Sequence, residues 1–96
     1  MSNPIAIIYS DEKLRVLVEE YITQQRTSFT LKGVCSYVLY WAMEDGKTDK
    51  GSHAIYENDQ LSPKDCDRIK EILEKIVAEG RITTLGKDDF LKALSA

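Results

Sequence analysis

A single histidine, His53, and two cysteines, Cys35 and Cys66, are the only imidazole and thiols in the 96 residues, so nucleophilic or metal chemistry of the common kinds has few places to start. A Ser-His-Asp or Cys-His relay needs a nucleophile held beside the imidazole, and no serine or cysteine motif surrounds His53. It reads as a solvent-exposed loop residue. Cys35 and Cys66 form no CxxC pair, and two distant thiols with one histidine leave a zinc site short of ligands. Gly46-Lys47-Thr48 has the ending of a phosphate-binding loop, but the required first glycine falls on Trp41 and the preceding element reads as a helix. Asp45 and Asp49 have the spacing of a calcium loop, yet Lys47 takes a ligand position, Lys50 replaces the turn glycine and Tyr56 replaces the bidentate acid. The paired carboxylates Asp11-Glu12, Glu19-Glu20, Glu44-Asp45 and Asp88-Asp89 lie at predicted helix ends or on polar faces, where solvation accounts for them. These residues do not argue for an enzyme, and no catalytic, cofactor-binding or metal-ligating residue is assigned.

Binding chemistry has two candidate sets. Lys64 and Arg68 are four apart and share one face of a predicted helix; Arg81 and Lys87 follow it, and together they are the candidate nucleic-acid contacts. Asp65 and Asp67 sit among them, and residues 62–80 carry four basic against five acidic side chains, so dense phosphate charge meets no net attraction there. The plain reading of this face is a solvated one with an Asp65–Arg68 and a Glu71–Lys75 pair. Lys92 and the small group Lys47, Lys50 and His53 add further local charge. Tyr37, Tyr40 and Trp41 form the second set, a candidate protein interface or homodimer contact, because tyrosine and tryptophan bury large areas with few rotatable bonds. Core packing is the competing explanation, and exposure in the folded monomer would decide between them.

The elements that must position these residues are legible from caps and periodicity. Ile5 to Ile8 read as a short strand or an apolar arm. Ser10 caps a helix with Asp11 and Glu12 in its first turn and Leu14, Leu17, Val18, Tyr21 and Ile22 at helical spacing. The polar run 23–28 closes it. Phe29 before Thr30, with Val34 four residues on, reads as a staple and N-cap for a second helix bearing Leu31, Val34, Cys35, Val38, Leu39 and Ala42. That helix is apolar around much of its girth, which suits a central position or a covering partner. Residues 46–60 read as an irregular loop, pinned by Ala54, Ile55 and Tyr56. Ser62, Pro63 and Asp65 open a third helix, with Cys66, Ile69, Leu73, Ile76 and Val77 on its apolar face and Gly80 as its stop. Residues 81–85 then read as a strand. For residues 86–96 there are two readings, a hairpin turned at 86–89 or a terminal helix capped by Asp88 with Phe90, Leu91 and Leu94 inward. Leucine, lysine and alanine favour the helix.

Composition sets the outer bounds. With 43% hydrophobic and 30% charged residues, the chain is an ordinary folded domain of one core, burying roughly 60–65% of its unfolded surface without metals or disulfides. Its net charge of −3 provides no global positive field for nucleic acid, so DNA binding is disfavoured by the acidic balance. The opening apolar segment is far too short to span a bilayer and has no basic flank, so no membrane association and a cytoplasmic location are expected. The cysteines are expected as buried free thiols.

The order helix, helix, loop, helix, strand, with Phe29-Thr30 entering the second helix and Glu79-Gly80-Arg81-Ile82 leaving the third, resembles a winged helix-turn-helix domain. The resemblance spans roughly residues 14–85 and implies a mainly α fold with a small β component, a three-helix core, and a short strand or wing near the C-terminus. It also implies DNA binding and transcriptional control. The loop before the third helix is longer than the tight turn of that motif, and the third helix is acidic. The expected function is therefore a non-enzymatic protein-interaction or regulatory module, with a DNA-binding regulator as the alternative.

Overall fold

The computed structural model describes residues 3–49, 51 and 59–92. Three helices carry the core: α1 (Asp11–Gln24), α2 (Leu31–Glu44) and α3 (Pro63–Ala78). Each begins where a side chain satisfies an orphan backbone N–H. Ser10 accepts from Lys13 N at 3.2 Å, Thr30 from Gly33 N at 3.0 Å, and Ser62 from Asp65 N at 3.3 Å. Gly80, at φ 79°, ends the last of them in the left-handed conformation that glycine adopts at no steric cost. Leu14, Leu17, Val18 and Ile22 of α1 meet Val34, Val38, Leu39 and Ala42 of α2 and Ile69, Ile72, Leu73 and Ile76 of α3 in one core cluster. Among the described residues no helix is long and apolar enough to cross a membrane.

Two small sheets frame the helices. In one, β1 (Asn3–Ile5) runs parallel to β3 (Asp59–Leu61), with Ile5 opposite Leu61. In the other, β2 (Ser28–Thr30), β4 (Ile82–Gly86) and β5 (Asp89–Lys92) are antiparallel in the order β2-β5-β4. The terminal helix favoured from composition is therefore corrected at residues 86–92. Here β5 is the central strand, bonded on both sides, and Phe90 lies opposite Phe29 with their rings stacked at a centroid distance of 5.4 Å. Long-range pairing overrides the modest helix preference of Leu91 and Lys92. Leu91, placed inward on the helical reading, faces solvent, and Leu94 lies outside the described residues.

Two further corrections concern segments read as irregular. Ser28 and Phe29 belong to a strand as well as leading into the cap. Asp59 and Gln60, assigned to the loop 46–60, form β3, because the N-terminal arm supplies an edge for them. That arm is held along its length. Ser62 N donates to Ile5 O, Asp49 N to Ala6 O and Ile8 N to Lys47 O, each at 2.9 Å. Lys50, His53, Ala54, Ile55 and Tyr56 lie outside the described residues.

Candidate functional site

The helical spacing of α2 divides its surface in two. Val34, Cys35, Val38, Leu39, Ala42 and Met43 are buried, while Tyr40 and Trp41 project away from the core and Tyr37 packs partly against it. Tyr40 is 47% exposed and Trp41 40%. Their rings meet edge to face at 5.6 Å, and Trp41 meets Tyr37 at 6.4 Å. Such edge contacts hold the exposed rings in a defined arrangement. Half-buried Tyr37 continues the row inward, its ring 5.3 Å from Tyr21, which in turn meets Phe29 at 6.1 Å. Gln24 Nε2 donates to the Tyr37 hydroxyl at 3.2 Å, so α1 braces the same face. The structure thus brings all three expected residues together and leaves two of them in solvent.

The basic candidates are dispersed and partly committed. Lys64 is exposed at the start of α3 and Lys87 at the β4–β5 turn. Arg81 is ion-paired with Glu19 and lies 3.7 Å from Glu79. Arg68 is turned onto the N-terminal arm: its Nη2 donates to Tyr9 O at 2.9 Å and to Asp11 Oδ1 at 2.8 Å, and its Nη1 donates to Asp65 Oδ1 at 2.9 Å. Lys92 Nζ donates to Gln25 O at 3.2 Å, at the end of α1. Lys70 Nζ lies 3.4 Å from Asp88 Oδ1, an ion pair without hydrogen-bond alignment that brings the hairpin turn beside α3.

Asp65 is the residue whose role sequence reasoning missed. The expected Asp65–Arg68 pair forms, but on a buried carboxylate rather than a solvated face. The Asp65 side chain is 5% exposed; its Oδ2 accepts from Ile7 N at 3.0 Å and from the Ser62 hydroxyl at 2.6 Å. Its capping-box position was the available signal, though nothing in the local pattern announces that the chain at Ile7 closes over it. Tyr9 donates to Asp45 Oδ2 at 2.5 Å, and burial together with that carboxylate pushes its phenol well above the ordinary range.

Cys35 and Cys66 are free thiols, the first buried and the second only partly so. They border a cavity of about 700 Å³ between the start of α2, β3 and the β4–β5 turn, together with Leu31, Leu39, Leu61 and Asp88. Burial raises both thiols above the usual range. Among the described residues no group of three or more His, Cys, Asp or Glu side chains is placed to hold a metal ion. Compared with known proteins, the chain matches no family model, no curated protein and no solved structure.

Proposed function

We propose that this chain is a small, cytoplasmic, non-enzymatic module of winged-helix-like architecture that acts by binding protein through Tyr37, Tyr40 and Trp41. The observation that carries the reading is the exposure of Tyr40 and Trp41 as an ordered edge-to-face pair on a helix whose other face is buried. Exposed, pre-positioned aromatic rings are the residues from which interface hot spots are built. The architectural part is supported by the element order α1, β2, α2, α3, β4, β5 with β5 central, and by Glu79-Gly80-Arg81-Ile82 at the junction of α3 and β4. The test compares the parent with a Tyr40→Ser/Trp41→Ser variant by sedimentation over a concentration series and by affinity purification from native cells. The parent is expected to self-associate or to retain a partner, with a blue shift of tryptophan emission. The variant should keep its helical circular dichroism and bind about 100-fold more weakly. A parent that stays monomeric and retains nothing the variant lacks overturns the reading.

A second reading, a DNA-binding regulator, is favoured by the placement of the β4–β5 turn beside α3. Arg68 and Arg81 are engaged by carboxylates, so Lys64 and Lys87 would carry its phosphate contacts. With so few phosphates neutralised, affinity would be low and the salt slope shallow. Fluorescence anisotropy with duplex DNA at low salt tests it. Binding abolished by Lys64→Glu with Lys87→Glu supports this reading, and a folded parent that binds nothing removes it.

A further inference from the structure

The aromatic face of α2 is flanked by charge of one sign. Residues 33–46 contain no lysine or arginine, and exposed Glu44 lies one turn beyond Tyr40 on the same side of the helix. Asp45, one turn beyond Trp41, is also exposed, although it already accepts from the Tyr9 hydroxyl. From α1, exposed Glu20 reaches the same row, its Oε2 accepting from the Tyr37 hydroxyl at 3.5 Å. Glu20 and Gln24, both bonded to Tyr37, also line a shallow groove of about 390 Å³ on α1 with Val16, Glu19 and Thr23, so the groove and the aromatic row are continuous. Val16, 45% exposed, gives that groove an apolar side. Of the cations on α1, Arg15 is paired with Glu79, and Lys13 stands two turns before Glu20.

We infer, resting on the reading that this face binds protein, that its occupant is a basic segment of a partner chain, presenting arginine or lysine beside apolar side chains. A guanidinium or ammonium laid over Trp41 or Tyr40 meets the negative face of the ring, with Glu20 and Glu44 to either side. Its aliphatic stem covers apolar ring surface and Val16. A second copy of the chain fits this face less well. Two-fold pairing sets the same surface against itself, bringing the carboxylates of one copy toward those of the other with no cation from residues 33–46 between them.

Trp41 is the single tryptophan, so its emission reports on this face alone. The experiment titrates the full chain with an amphipathic peptide of alanine, leucine and arginine, and with a control in which every arginine is replaced by glutamate. Trp41 emission is followed with unlabelled peptide and anisotropy with labelled peptide. The arginine peptide is expected to bind, to shift Trp41 emission and to weaken with added salt, and the glutamate peptide to do none of these. Glu20→Gln with Glu44→Gln should weaken binding about fivefold or more while keeping helical circular dichroism. Glu71→Gln with Glu74→Gln, exposed on α3, changes the net charge equally and should leave binding as it is. No binding of the arginine peptide, equal binding of the two peptides, or equal losses in the two double variants overturns the inference. So does a parent that self-associates through Tyr40 and Trp41 in the sedimentation series. That outcome leaves the protein-binding reading standing, whereas a parent indifferent to Tyr40→Ser/Trp41→Ser in every assay removes both.

Discussion

The residue with most at stake is Asp65. Its carboxylate meets a hydroxyl, a backbone N–H and a guanidinium, so truncation would leave Ile7 N–H without its acceptor and Arg68 without its buried partner. Breaking a buried ion pair from one side costs about 3–5 kcal/mol, because the remaining charge is stranded. Asp65→Ala is accordingly expected to lower urea stability by about 3 kcal/mol or more. Asp11 holds the same guanidinium from solvent, with its side chain 87% exposed, and Asp11→Ala should cost at most about 1 kcal/mol. Equal losses at the two positions would refute this assignment. Charge alone does not distinguish the two aspartates in sequence. What separates them is whether another segment passes over the carboxylate, and only the folded chain settles that.

At the scale of elements, α2 is limited by its fit against α1. A Cβ on Gly33 would stand 2.3 Å from the Tyr21 hydroxyl and 3.3 Å from the ring carbon bearing it. Tyr21 cannot swing freely, since its ring meets both Phe29 and Tyr37. Gly33→Ala therefore sets an overpacking cost of about 1–3 kcal/mol against a helix-propensity gain of about 1 kcal/mol at most. A net loss in urea stability is expected, with a changed near-ultraviolet dichroism from the displaced rings. The β4–β5 hairpin makes a different prediction. Asp88 holds φ 64°, a left-handed conformation that costs most residues about 1–2 kcal/mol. Asp88→Gly should be close to neutral in thermal melts, losing only an exposed pair with Lys70, while Asp88→Val should be clearly destabilising. The helices were readable because caps and a 3.6-residue period are local signals. Strands β2 and β3 were not, and β5 was readable only as one side of the less favoured hairpin, since three or four residues have too short a pattern and take their conformation from the partner that bonds them.

Across the whole molecule, the N-terminal arm joins what the helices alone would leave separate: β3, the turn after α2 and the start of α3. Tyr9 ends that arm, buried and bonded to Asp45. Because the folded state holds the Tyr9 proton more tightly than the unfolded chain, where a phenol titrates near pH 10, its contribution to stability is complete below about pH 10. That contribution is lost as the pH rises further. Urea midpoints measured across the alkaline range are expected to fall above about pH 10, and Tyr9→Phe should make the decline shallower. An unchanged alkaline slope in that variant would mean that another group controls the decline.

Much was settled by residue types and their spacing alone. Ser10, Thr30 and Ser62 set the starts of three helices, Gly80 the end of the third, and the apolar periodicity chose most of the face each turns to the core, because these effects act within a few residues along the chain. The tertiary structure decided what depends on distant neighbours. It placed Tyr40 and Trp41 in solvent, drew Arg68 away from solvent onto Asp65 and the N-terminal arm, brought Cys35 and Cys66 to one cavity, and drew residues 89–92 into a sheet. Burial and ion pairing are properties of surfaces that meet only when the chain has folded, and no local pattern carries them.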